Sequence, residues 1–442
     1  MARLKIGSTV QTVNGDVIKI KEELGEGGQG VVYKVDWKGN FYALKWYRKG
    51  VGDQPKAFYH NLCENVKRLD KMPKTFLWPK AVTTIDNKGC FGYVMDLRPK
   101  EYKEFSQFLL NRARFENGFE SLINAALQII ISFRALHNLG LSYQDLNDGN
   151  FFINPKTGDV LICDNDNVAP NGDNLGIKGK PRYMAPEVVL NEKKPDTYTD
   201  RFSLAVVLFL LLYKNHPLSG MADKDGDEPA KNERRLYAEN PVFIYDPDKS
   251  SNRPNPAIHK NVIKLWPVYP KYIQDLFIRA FSEKLMHCDE AGRQNRLLEK
   301  EWQKNFLRLR NELIRCSQCG EEVFGIVNSP KQICFNCSKA FGLPAVLAVR
   351  EHKIVLYPGK KIYHYHIDED DATTDNMNQV VAEVIQNKKN PKMWGLKNLS
   401  SKTWYKQTPG GKEDLIARDG VVPIARGIKL NFGTTASQAT IE

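Results

Sequence analysis

The stretch that decides the fold is YQDLNDGN, residues 143–150. It places a carboxylate, Asp145, and a carboxamide, Asn150, five residues apart on one short polar segment. A helix-like apolar run ends just before it, at Leu136 and His137. The pattern D-x-x-x-x-N is common by chance, so its weight depends on the motifs that precede and follow it.

A glycine-rich segment, LGEGGQGVVY, lies upstream at residues 24–33. Its G-x-G-x-x-G glycines are Gly25, Gly27 and Gly30. A backbone without β-carbons can turn sharply and lay its N–H groups over phosphates. A dinucleotide-binding fold needs a helix directly after such a motif. Here Val32 and its neighbours are β-branched and aromatic, and they predict a β-hairpin over 31–35 and 41–46.

The second strand of that hairpin reads YALK and contains Ala43 and Lys45. Apolar residues with helical spacing follow over 57–70, and Glu64 lies among them. Glu64 is the only Glu between Lys45 and Pro99. A lone Glu usually lies on a solvated helix face, and the alternative is an ion pair with Lys45.

Three further features follow in order. The apolar strand predicted at 160–163 ends at Asp164, and GKPRYMAPE occupies residues 179–187. Asp200 then precedes an apolar helix-like run. The segment GKPRYMAPE is a highly specific motif.

In this order the motifs resemble those of the eukaryotic-like protein Ser/Thr kinases, over about residues 15–310. The resemblance implies an α+β, two-lobed protein-kinase fold over 1–311 that binds ATP between its lobes. The small lobe extends to about residue 97, and the large lobe covers about 98–311.

The same resemblance implies the site. Asp145 is the catalytic base, Asn150 and Asp164 hold Mg²⁺, and Lys45, held by Glu64, contacts the ATP phosphates. Asp200 braces the catalytic loop, and Arg293 is a partner for Glu187. The expected nucleotide-binding residues are Gly25, Gly27, Gly30, Val32, Ala43, Lys45, Met95 as gatekeeper, and Asp96 and Arg98 in the hinge.

Several positions depart from the kinase pattern. Gln144 replaces the Arg that receives a phosphorylated activation segment, and residues 164–187 contain no Ser or Thr, so Tyr183 is their only hydroxyl side chain. The Phe and Gly of D-F-G are Asn165 and Asp166. These departures keep open the alternative of a nucleotide-binding pseudokinase scaffold.

A Lys is also displaced. Ser/Thr kinases carry a Lys two residues after the catalytic Asp, where this chain has Asn147, and a Thr where it has Lys180. One hypothesis is that Lys180 supplies the missing catalytic cation from across the cleft. The alternative is that Lys180 points into solvent.

Two C-x-x-C pairs are separated by fourteen residues within a segment predicted as a zinc ribbon, 312–341. Two such knuckles predict a tetrahedral S₄ site for structural Zn²⁺ rather than a redox centre. The predicted ligands are Cys316, Cys319, Cys334 and Cys337.

Residues 342–442 contain short strand-like segments separated by turns, which predict a β-sandwich-like domain. Their second half, from Leu396 to Gly433, weakly resembles a forkhead-associated domain, although the phosphate-binding Arg and Ser-x-x-His are not evident. His364 and His366 alternate on a predicted strand, either as exposed residues or as part of a second metal site.

The formal charge is +12, but no nucleic-acid motif is present, so most of this charge is expected on solvated surface. The longest pure apolar run, 204–213, is too short to cross a bilayer, and the N-terminus lacks a signal-peptide core, so a cytoplasmic location is expected. The stretch VFIYDP at 242–247 resembles kinases of the bacterial TerY-phosphorylation triad. That resemblance implies a protein substrate in signalling or stress response, with a von Willebrand factor A protein and a phosphatase as partners.

Overall fold

The computed structural model describes residues 3–47, 54–176, 179–223, 229–287, 289–327, 329, 332–368, 371–408, 410–435 and 437–442. The chain forms two compact units. The first consists of residues up to Glu116, Gln128–Ile263 and Asp275–Glu299, and the second of Asn117–Leu127, Lys264–Gln274 and Lys300–Glu442. The boundaries predicted at 312 and 342 remain predictions.

The strands up to residue 170 are β1 (Thr9–Gln11), β2 (Val17–Glu26), β3 (Gly30–Trp37), β4 (Asn40–Tyr47), β5 (Ala81–Val82), β6 (Gly92–Met95), β7 (Lys103–Glu104), β8 (Leu141–Ser142), β9 (Phe151–Ile153), β10 (Val160–Ile162) and β11 (Ala169–Pro170). The helices up to residue 312 are α1 (Pro55–Val66), α2 (Phe105–Leu109), α3 (Gly118–Asn138), α4 (Pro186–Val189), α5 (Thr197–Tyr213), α6 (Pro229–Arg234), α7 (Lys260–Leu265), α8 (Lys271–Ala280), α9 (Glu283–Met286), α10 (Glu290–Gln294) and α11 (Glu299–Glu312).

A six-stranded antiparallel sheet forms the N-terminal part, in the order β1-β2-β3-β4-β6-β5. Side chains alternate along its strands, so each face has its own core. One face buries Ile18, Ile20 and Leu44, and the other packs against α1 through Phe58 and Leu62. Burial of each such side chain contributes about 1.5–3 kcal/mol. The sheet is therefore a stable support for the predicted site residues that precede residue 96.

The predicted glycine-rich hairpin is present as β3 and β4, with Val32 opposite Lys45. Gly30 is required there because a β-carbon would lie 2.1 Å from the carbonyl oxygen of Trp46. Gly25 and Gly27 have open space around them, and the Gly27 amide donates to the Gly30 carbonyl at 2.9 Å.

The following part is helical, with α5 at its centre. Asp196 begins α5 with a capping box in which its carboxylate accepts from the Thr199 amide, and the buried apolar residues after it form a core helix. Strands β8 and β9 flank the loop at 143–150, and β10 and β11 flank the segment that carries Asp164. These strands pair in two small sheets, β10-β9-β7 and β11-β8, so the loop and the segment lie beside each other.

By length and composition α3 is the single helix, within the described residues, that is apolar enough to cross a membrane. Most of its apolar window, 78%, is buried in the folded chain, as in the core helix of a globular domain.

Strands β12–β25 and helix α12 complete the chain. They are β12 (Leu313–Arg315), β13 (Glu322–Phe324), β14 (Gln332–Ile333), β15 (Ala340–Phe341), β16 (Val346–Val349), β17 (His352–Val355), β18 (Lys361–Tyr363), α12 (His364–Ile367), β19 (Val380–Gln386), β20 (Trp394–Asn398), β21 (Trp404–Gln407), β22 (Glu413–Ile416), β23 (Val421–Pro423), β24 (Lys429–Asn431) and β25 (Gln438–Ile441).

The cysteine-rich segment consists of two hairpins, β12-β13 and β14-β15. Its apolar residues share one core with the first strands of the C-terminal region, through Val346 and Val355. Glu322 of β13 accepts a hydrogen bond from the Phe119 amide at 2.6 Å and so caps α3. The segment is therefore integrated with its surroundings by packing and by a charged cap.

The C-terminal region contains two antiparallel sheets, of order β17-β16-β25-β24-β21-β22 and β18-β19-β20-β23. Residues of both sheets, including Leu396 and Leu430, belong to one buried apolar cluster, the arrangement of a β-sandwich. The strand prediction for His364 and His366 was wrong, because both lie on the helical turn α12. His366 is buried and its Nδ1 accepts from the Tyr363 amide, which fixes it as a structural residue.

Candidate active site

The catalytic loop predicted at 143–150 is internally hydrogen-bonded. The Asn150 Nδ2 donates to the Asp145 carbonyl at 2.7 Å. The Asn147 Nδ2 donates to the Asp145 Oδ1 at 3.1 Å, and its Oδ1 accepts from the Gly149 amide. Asn147 therefore orients the carboxylate of Asp145, a role that motif matching did not assign to it.

Asp200 braces this loop from below, as predicted. Its two carboxylate oxygens accept from the backbone amides of Tyr143, at 2.6 Å, and Gln144, at 3.0 Å. His137 lies between Asp200 and Glu299, at 3.2 and 2.9 Å. Burial would lower the pKa of His137, but hydrogen bonds to the two carboxylates outweigh burial and raise it to about 9.

Gln144 contacts the activation segment directly. Its backbone lies in the left-handed region, with φ 72°. Its Nε2 donates to the Asp173 carbonyl at 2.6 Å and to the Ser142 hydroxyl at 3.2 Å. A neutral amide thus makes a direct bond to the segment at the position where the resemblance implied an Arg.

Lys45 is buried, and its ammonium group contacts three side-chain oxygens. Its Nζ lies 2.9 Å from the Asp164 Oδ1, 2.9 Å from the Asp166 Oδ2 and 3.2 Å from the Gln29 Oε1. Burial alone would lower the pKa of Lys45, but the charges of Asp166 and Asp164 outweigh burial and raise it. The structure therefore brings Lys45 and Asp164 together, whereas the predicted partner of Lys45 was Glu64.

Glu64 is not brought to Lys45, although both residues lie in the described part of the chain. Its carboxylate pairs with Lys67 at 2.6 Å on the surface of α1. The physical reason is the rotation of α1, which directs Asn61 and Asn65 inward. Their amides donate to the Val168 carbonyl at 2.7 and 2.8 Å.

Asp166 was not predicted as a site residue. Its side chain has no solvent exposure and accepts hydrogen bonds from Lys45 and from the Tyr47 hydroxyl. A second tyrosine, Tyr93, lies 3.5 Å from its other oxygen. The signal in the sequence was an acidic residue in place of a glycine whose backbone freedom the motif normally uses.

The turn after β10 is held by its asparagines. Asp164 has φ 53°, a left-handed conformation that Asp tolerates better than most residues. Asn165 is fully buried, and its Nδ2 donates to the carbonyls of Leu77 and Ile162, both at 2.9 Å. Hydrogen bonds thus replace the apolar packing that a Phe would provide at this position.

The protonation of Asp145 is affected by its surroundings. Burial and the nearby charge of Asp164 raise its pKa to about 6, although the hydrogen bond from Asn147 and the charge of Lys180 act in the opposite direction. A carboxyl group with this pKa is suited to accept a proton near neutral pH.

Lys180 lies over the catalytic loop. Its Nζ is 3.3 Å from the Asp148 Oδ1, and its side chain is 55% exposed. A β-carbon on Gly149 would lie 3.7 Å from this Nζ. The cation is therefore close to the loop but paired with Asp148.

Several of the predicted nucleotide-binding residues have defined contacts in the structure. Ala43 pairs with Met95 across β4 and β6, and Met95 is buried. In the hinge, Asp96 pairs with Lys80 at 3.0 Å. The Arg98 guanidinium lies 3.8 Å from the centre of the Phe152 ring.

Glu187 is buried, and its principal partner is Arg296, whose Nη1 and Nη2 donate at 2.7 and 2.9 Å. The predicted partner Arg293 also contacts it, at 3.3 Å. Sequence spacing missed Arg296 because the two arginines lie in the same short segment and only the backbone decides which one faces Glu187.

The four cysteines form one cluster in which all sulfur atoms lie within 4.8 Å of one another. The Sγ atoms of Cys316 and Cys337 are 3.9 Å apart, and those of Cys319 and Cys334 are 3.7 Å apart. A zinc–thiolate bond of about 2.3 Å gives an S₄ tetrahedron with edges of about 3.8 Å. The donor set therefore fits Zn²⁺.

The cleft likewise fits Mg²⁺ and a nucleotide. Asp164 and Asp166 contact Lys45, Asp145 is close enough for the charge of Asp164 to affect it, and the Asp164 side chain is 44% exposed. Carboxylate oxygens are preferred Mg²⁺ ligands, and the ion usually also binds phosphates.

Comparison with known proteins agrees with this geometry. The profile of the protein kinase domain matches residues 18–296. The chain is 26% identical to cGMP-dependent protein kinase, isozyme 2 forms cD5/T2, of Drosophila melanogaster, over 50% of this chain and 23% of the relative. It is 24% identical to serine/threonine-protein kinase Nek11 of Macaca fascicularis, over 66% of this chain and 48% of the relative.

The human cGMP-dependent protein kinase 2 is 29% identical over 46% of this chain and 26% of its own length. The chain thus spans about a quarter to a half of the length of these relatives. Among solved structures, the autoinhibited serine kinase domain of the giant muscle protein titin has a TM-score of 0.48 and 15% identity, over 66% of this chain and 81% of that one, a likeness too low to carry an argument. The family profile covers more than half of the chain, which therefore belongs to the protein kinase domain family and has serine/threonine kinases among its relatives.

Proposed function

We propose that this chain is an ATP- and Mg²⁺-dependent protein Ser/Thr kinase. The observation that carries the proposal is the convergence of Lys45, Asp145, Asn150 and Asp164 on one cleft. The chain belongs to the protein kinase domain family and supplies each chemical group that phosphoryl transfer requires.

Each residue has a definite role in this reaction. Asp145, oriented by Asn147, accepts the proton of the attacking hydroxyl group. Lys45 positions the nucleotide phosphates, and Asp164 with Asn150 holds the metal ion. Mg²⁺, when bound, neutralises the charge of the phosphates.

Regulation is proposed to act without phosphorylation of the activation segment. Tyr183, the only hydroxyl side chain in 164–187, is buried and so not available to another kinase. Gln144 already contacts the segment at Asp173. Phosphatase treatment should therefore leave turnover unchanged, and a loss of activity mapped to this segment would contradict the proposal.

The direct test is Mg²⁺-dependent transfer of radiolabelled phosphate from ATP to the protein itself and to a basic carrier protein. Asp145→Asn should lower transfer by about 10²–10⁴-fold. Asp173→Asn is the matched control, since it makes the same chemical change at an exposed residue. Equal rates for the two variants would refute the role of Asp145.

The alternative is a nucleotide-binding scaffold. The observation that favours it is the ion pair between Lys45 and Asp164, which joins the proposed phosphate-binding cation directly to the proposed metal ligand. Under this alternative, ATP binds and stabilises the fold, but the wild-type protein transfers no phosphate to any substrate.

We also propose that Cys316, Cys319, Cys334 and Cys337 bind one structural Zn²⁺. The tetrahedral spacing of their sulfur atoms supports this proposal. Metal analysis of reduced, unchelated protein should find about one zinc per chain. Cys319→Ser should reduce that content, whereas Cys63→Ser, outside the cluster, should not.

The narrower context is proposed from sequence motifs. The resemblance of residues 242–247 to TerY-triad kinases supports a bacterial, cytoplasmic signalling role with a von Willebrand factor A protein as substrate and a phosphatase as partner. The two-sheet C-terminal region is compatible with a forkhead-associated-like domain. Incubation of the purified kinase with such a substrate protein, followed by phosphosite mapping, tests this assignment.

A further inference from the structure

The carboxylate of Asp166 is completely buried, and each of its two oxygens faces a donor group. One oxygen, Oδ2, accepts from the Lys45 Nζ at 2.9 Å and from the Tyr47 hydroxyl. The other oxygen faces the Tyr93 hydroxyl at 3.5 Å. A buried carboxylate is tolerated only when a cation and hydrogen-bond donors compensate its lost hydration.

The two tyrosines are themselves fixed by the small-lobe sheet. Tyr47 ends β4, Tyr93 lies on β6, and their ring centres are 6.1 Å apart. Tyr47 also packs edge-on against Phe58 of α1. The donors to Asp166 therefore sit on rigid elements, which makes the position of Asp166 a property of the fold.

Helix α1 contributes no carboxylate to this cluster. Glu64 is engaged by Lys67, and the inward amides of Asn61 and Asn65 are engaged by the Val168 carbonyl. Lys45 still needs a second negative partner, because Asp164 is partly exposed and is required for the metal ion. Asp166 is the buried carboxylate in contact with Lys45.

We propose that Asp166 is a positioning residue that holds Lys45 in its working place and so takes over the task expected of a carboxylate on helix α1. The anchor and the metal ligand Asp164 then lie two residues apart on one turn. In the described part of the chain, the hydrogen-bond partners of Lys45 then include no residue of α1, and the helix contacts the anchor through the packing of Phe58 on Tyr47. The effect on turnover rests on the proposed kinase function, whereas the pairing itself does not.

The kinetic test compares Asp166→Asn with Glu64→Gln in the full chain. The first keeps shape and removes the charge, and misplacement of a reacting group by about 1 Å typically costs about 10²-fold in rate. We expect kcat to fall by about this factor while the KM for ATP changes less than threefold. Glu64→Gln should change both by less than twofold.

Near-normal turnover of Asp166→Asn, or a large loss in Glu64→Gln, would overturn the proposal. A loss caused only by partial unfolding would lower the number of active molecules and leave the KM for ATP and the kcat per active molecule unchanged. Titration with a tight-binding fluorescent ATP analogue counts the competent sites and separates the two cases.

A second measurement needs no enzymatic activity, so it stays informative if the kinase proposal fails. In thermal unfolding, Lys45→Met should lower the stability of the wild-type protein more than it lowers the stability of the Asp166→Asn variant. In the wild-type background the change leaves the buried Asp166 carboxylate without its cation, whereas in the variant that carboxylate is already gone. Lys45→Met and Glu64→Gln should have additive effects.

Tyr47→Phe provides the same test if Asp166→Asn does not fold. Tyr47 and Lys45 both donate to the same oxygen of Asp166, so the combined loss of both donors should destabilise the protein more than the sum of the single losses. Strict additivity of Tyr47→Phe and Lys45→Met would overturn the proposal.

Discussion

Helix α1 and the turn after β10 differ in whether they supply a charged partner to Lys45. Helix α1, where a carboxylate was expected, presents amides, and Asn61 and Asn65 both bind the Val168 carbonyl. The turn after β10, where a glycine was expected at its third position, presents Asp164 and Asp166 to the Lys45 ammonium. The charge that Lys45 requires is therefore present, but it lies on a different element.

The difference shows that a charge balance constrains a site more tightly than the position of a residue in a motif. A buried ammonium group must have a partner. In this chain the turn after β10 supplies that partner as a carboxylate, and helix α1 does not. The helix side is then free to make neutral hydrogen bonds, which position α1 without taking part in the balance.

The largest expected effect comes from the turn. Asp164→Asn removes the proposed metal ligand and a partner of Lys45, and we expect kcat to fall by about 10²–10³-fold, as for loss of a preorganised electrostatic group. Glu64→Gln on the helix is its counterpart and should leave kcat nearly unchanged. Comparable losses in steady-state phosphate transfer would erase the difference between the two elements.

Lys180 tests whether a cation of the site has been relocated in the same way as the carboxylate partner of Lys45. If it stabilises the charge that develops on the transferring phosphoryl group, Lys180→Ala should lower turnover by about 10²-fold with ATP affinity nearly unchanged, and Asn147→Lys should restore part of it. The pair with Asp148 and the 55% exposure of the side chain favour a smaller effect than that of Asp164. Near-normal turnover of Lys180→Ala on a protein substrate would show that this Lys is a surface residue.

Much of this site was accessible from the sequence because short segments determine it. The hairpin that carries Lys45, the loop with Asp145 and Asn150, and the four-cysteine cluster each follow from local spacing. Asp200 beneath the loop was also predicted. In the hairpin and the loop the neighbours in sequence are also the neighbours in space, whereas Asp200 lies 57 and 56 residues from the amides that it binds and was predicted from the order of the motifs.

The parts that failed depend on rotations that no local pattern fixes. Glu64 and Asn65 are adjacent on α1, and the rotation of the helix decides that Asn65 faces inward and Glu64 outward. Likewise, His366 was assigned to a strand because alternation was visible, but it lies on a helical turn that buries it against Asn311. Tertiary packing made both choices.

Asn165 offers a test by stability rather than rate. Asn165→Ala leaves the buried Leu77 carbonyl without the Asn165 donor, since the Ile162 carbonyl keeps a bond from the Leu77 amide. A buried unpaired polar group costs about 1–3 kcal/mol, so the free energy of unfolding in urea should fall by that amount. An unchanged midpoint and slope would mean that water replaces the amide.

The pH dependence examines how the turn affects the catalytic base. Because the pKa of Asp145 is about 6, its carboxylate is protonated and inactive below that pH, and kcat/KM should rise about tenfold per unit up to pH 6 and then level off. The charge of Asp164 contributes to this raised pKa, so Asp164→Asn should move the residual acid limb to lower pH. If the acid limb of kcat/KM in the wild-type protein instead followed the ordinary pKa of an exposed Asp, burial would not raise the pKa of Asp145 and the prediction would be wrong.

The smallest expected effect is on the helix side. The Val168 carbonyl accepts from both Asn61 and Asn65, so Asn65→Ala leaves one donor in place. The variant also removes the bond that Asn65 accepts from Arg68, but Arg68 is half-buried, so water can take the place of Asn65 there. A neutral hydrogen bond contributes about 0.5–1.5 kcal/mol net, and the loss in unfolding free energy should lie in this range, below that of Asn165→Ala. The double variant Asn61→Ala, Asn65→Ala removes both donors to the carbonyl and should lower the unfolding free energy by more than the sum of the two single changes.

Turnover should change little in Asn65→Ala, because Lys45 is held by Asp166 and not by this helix. If Asn65→Ala instead lowered kcat as strongly as Asp166→Asn, the position of α1 would control Lys45 after all, and the two elements would act as one.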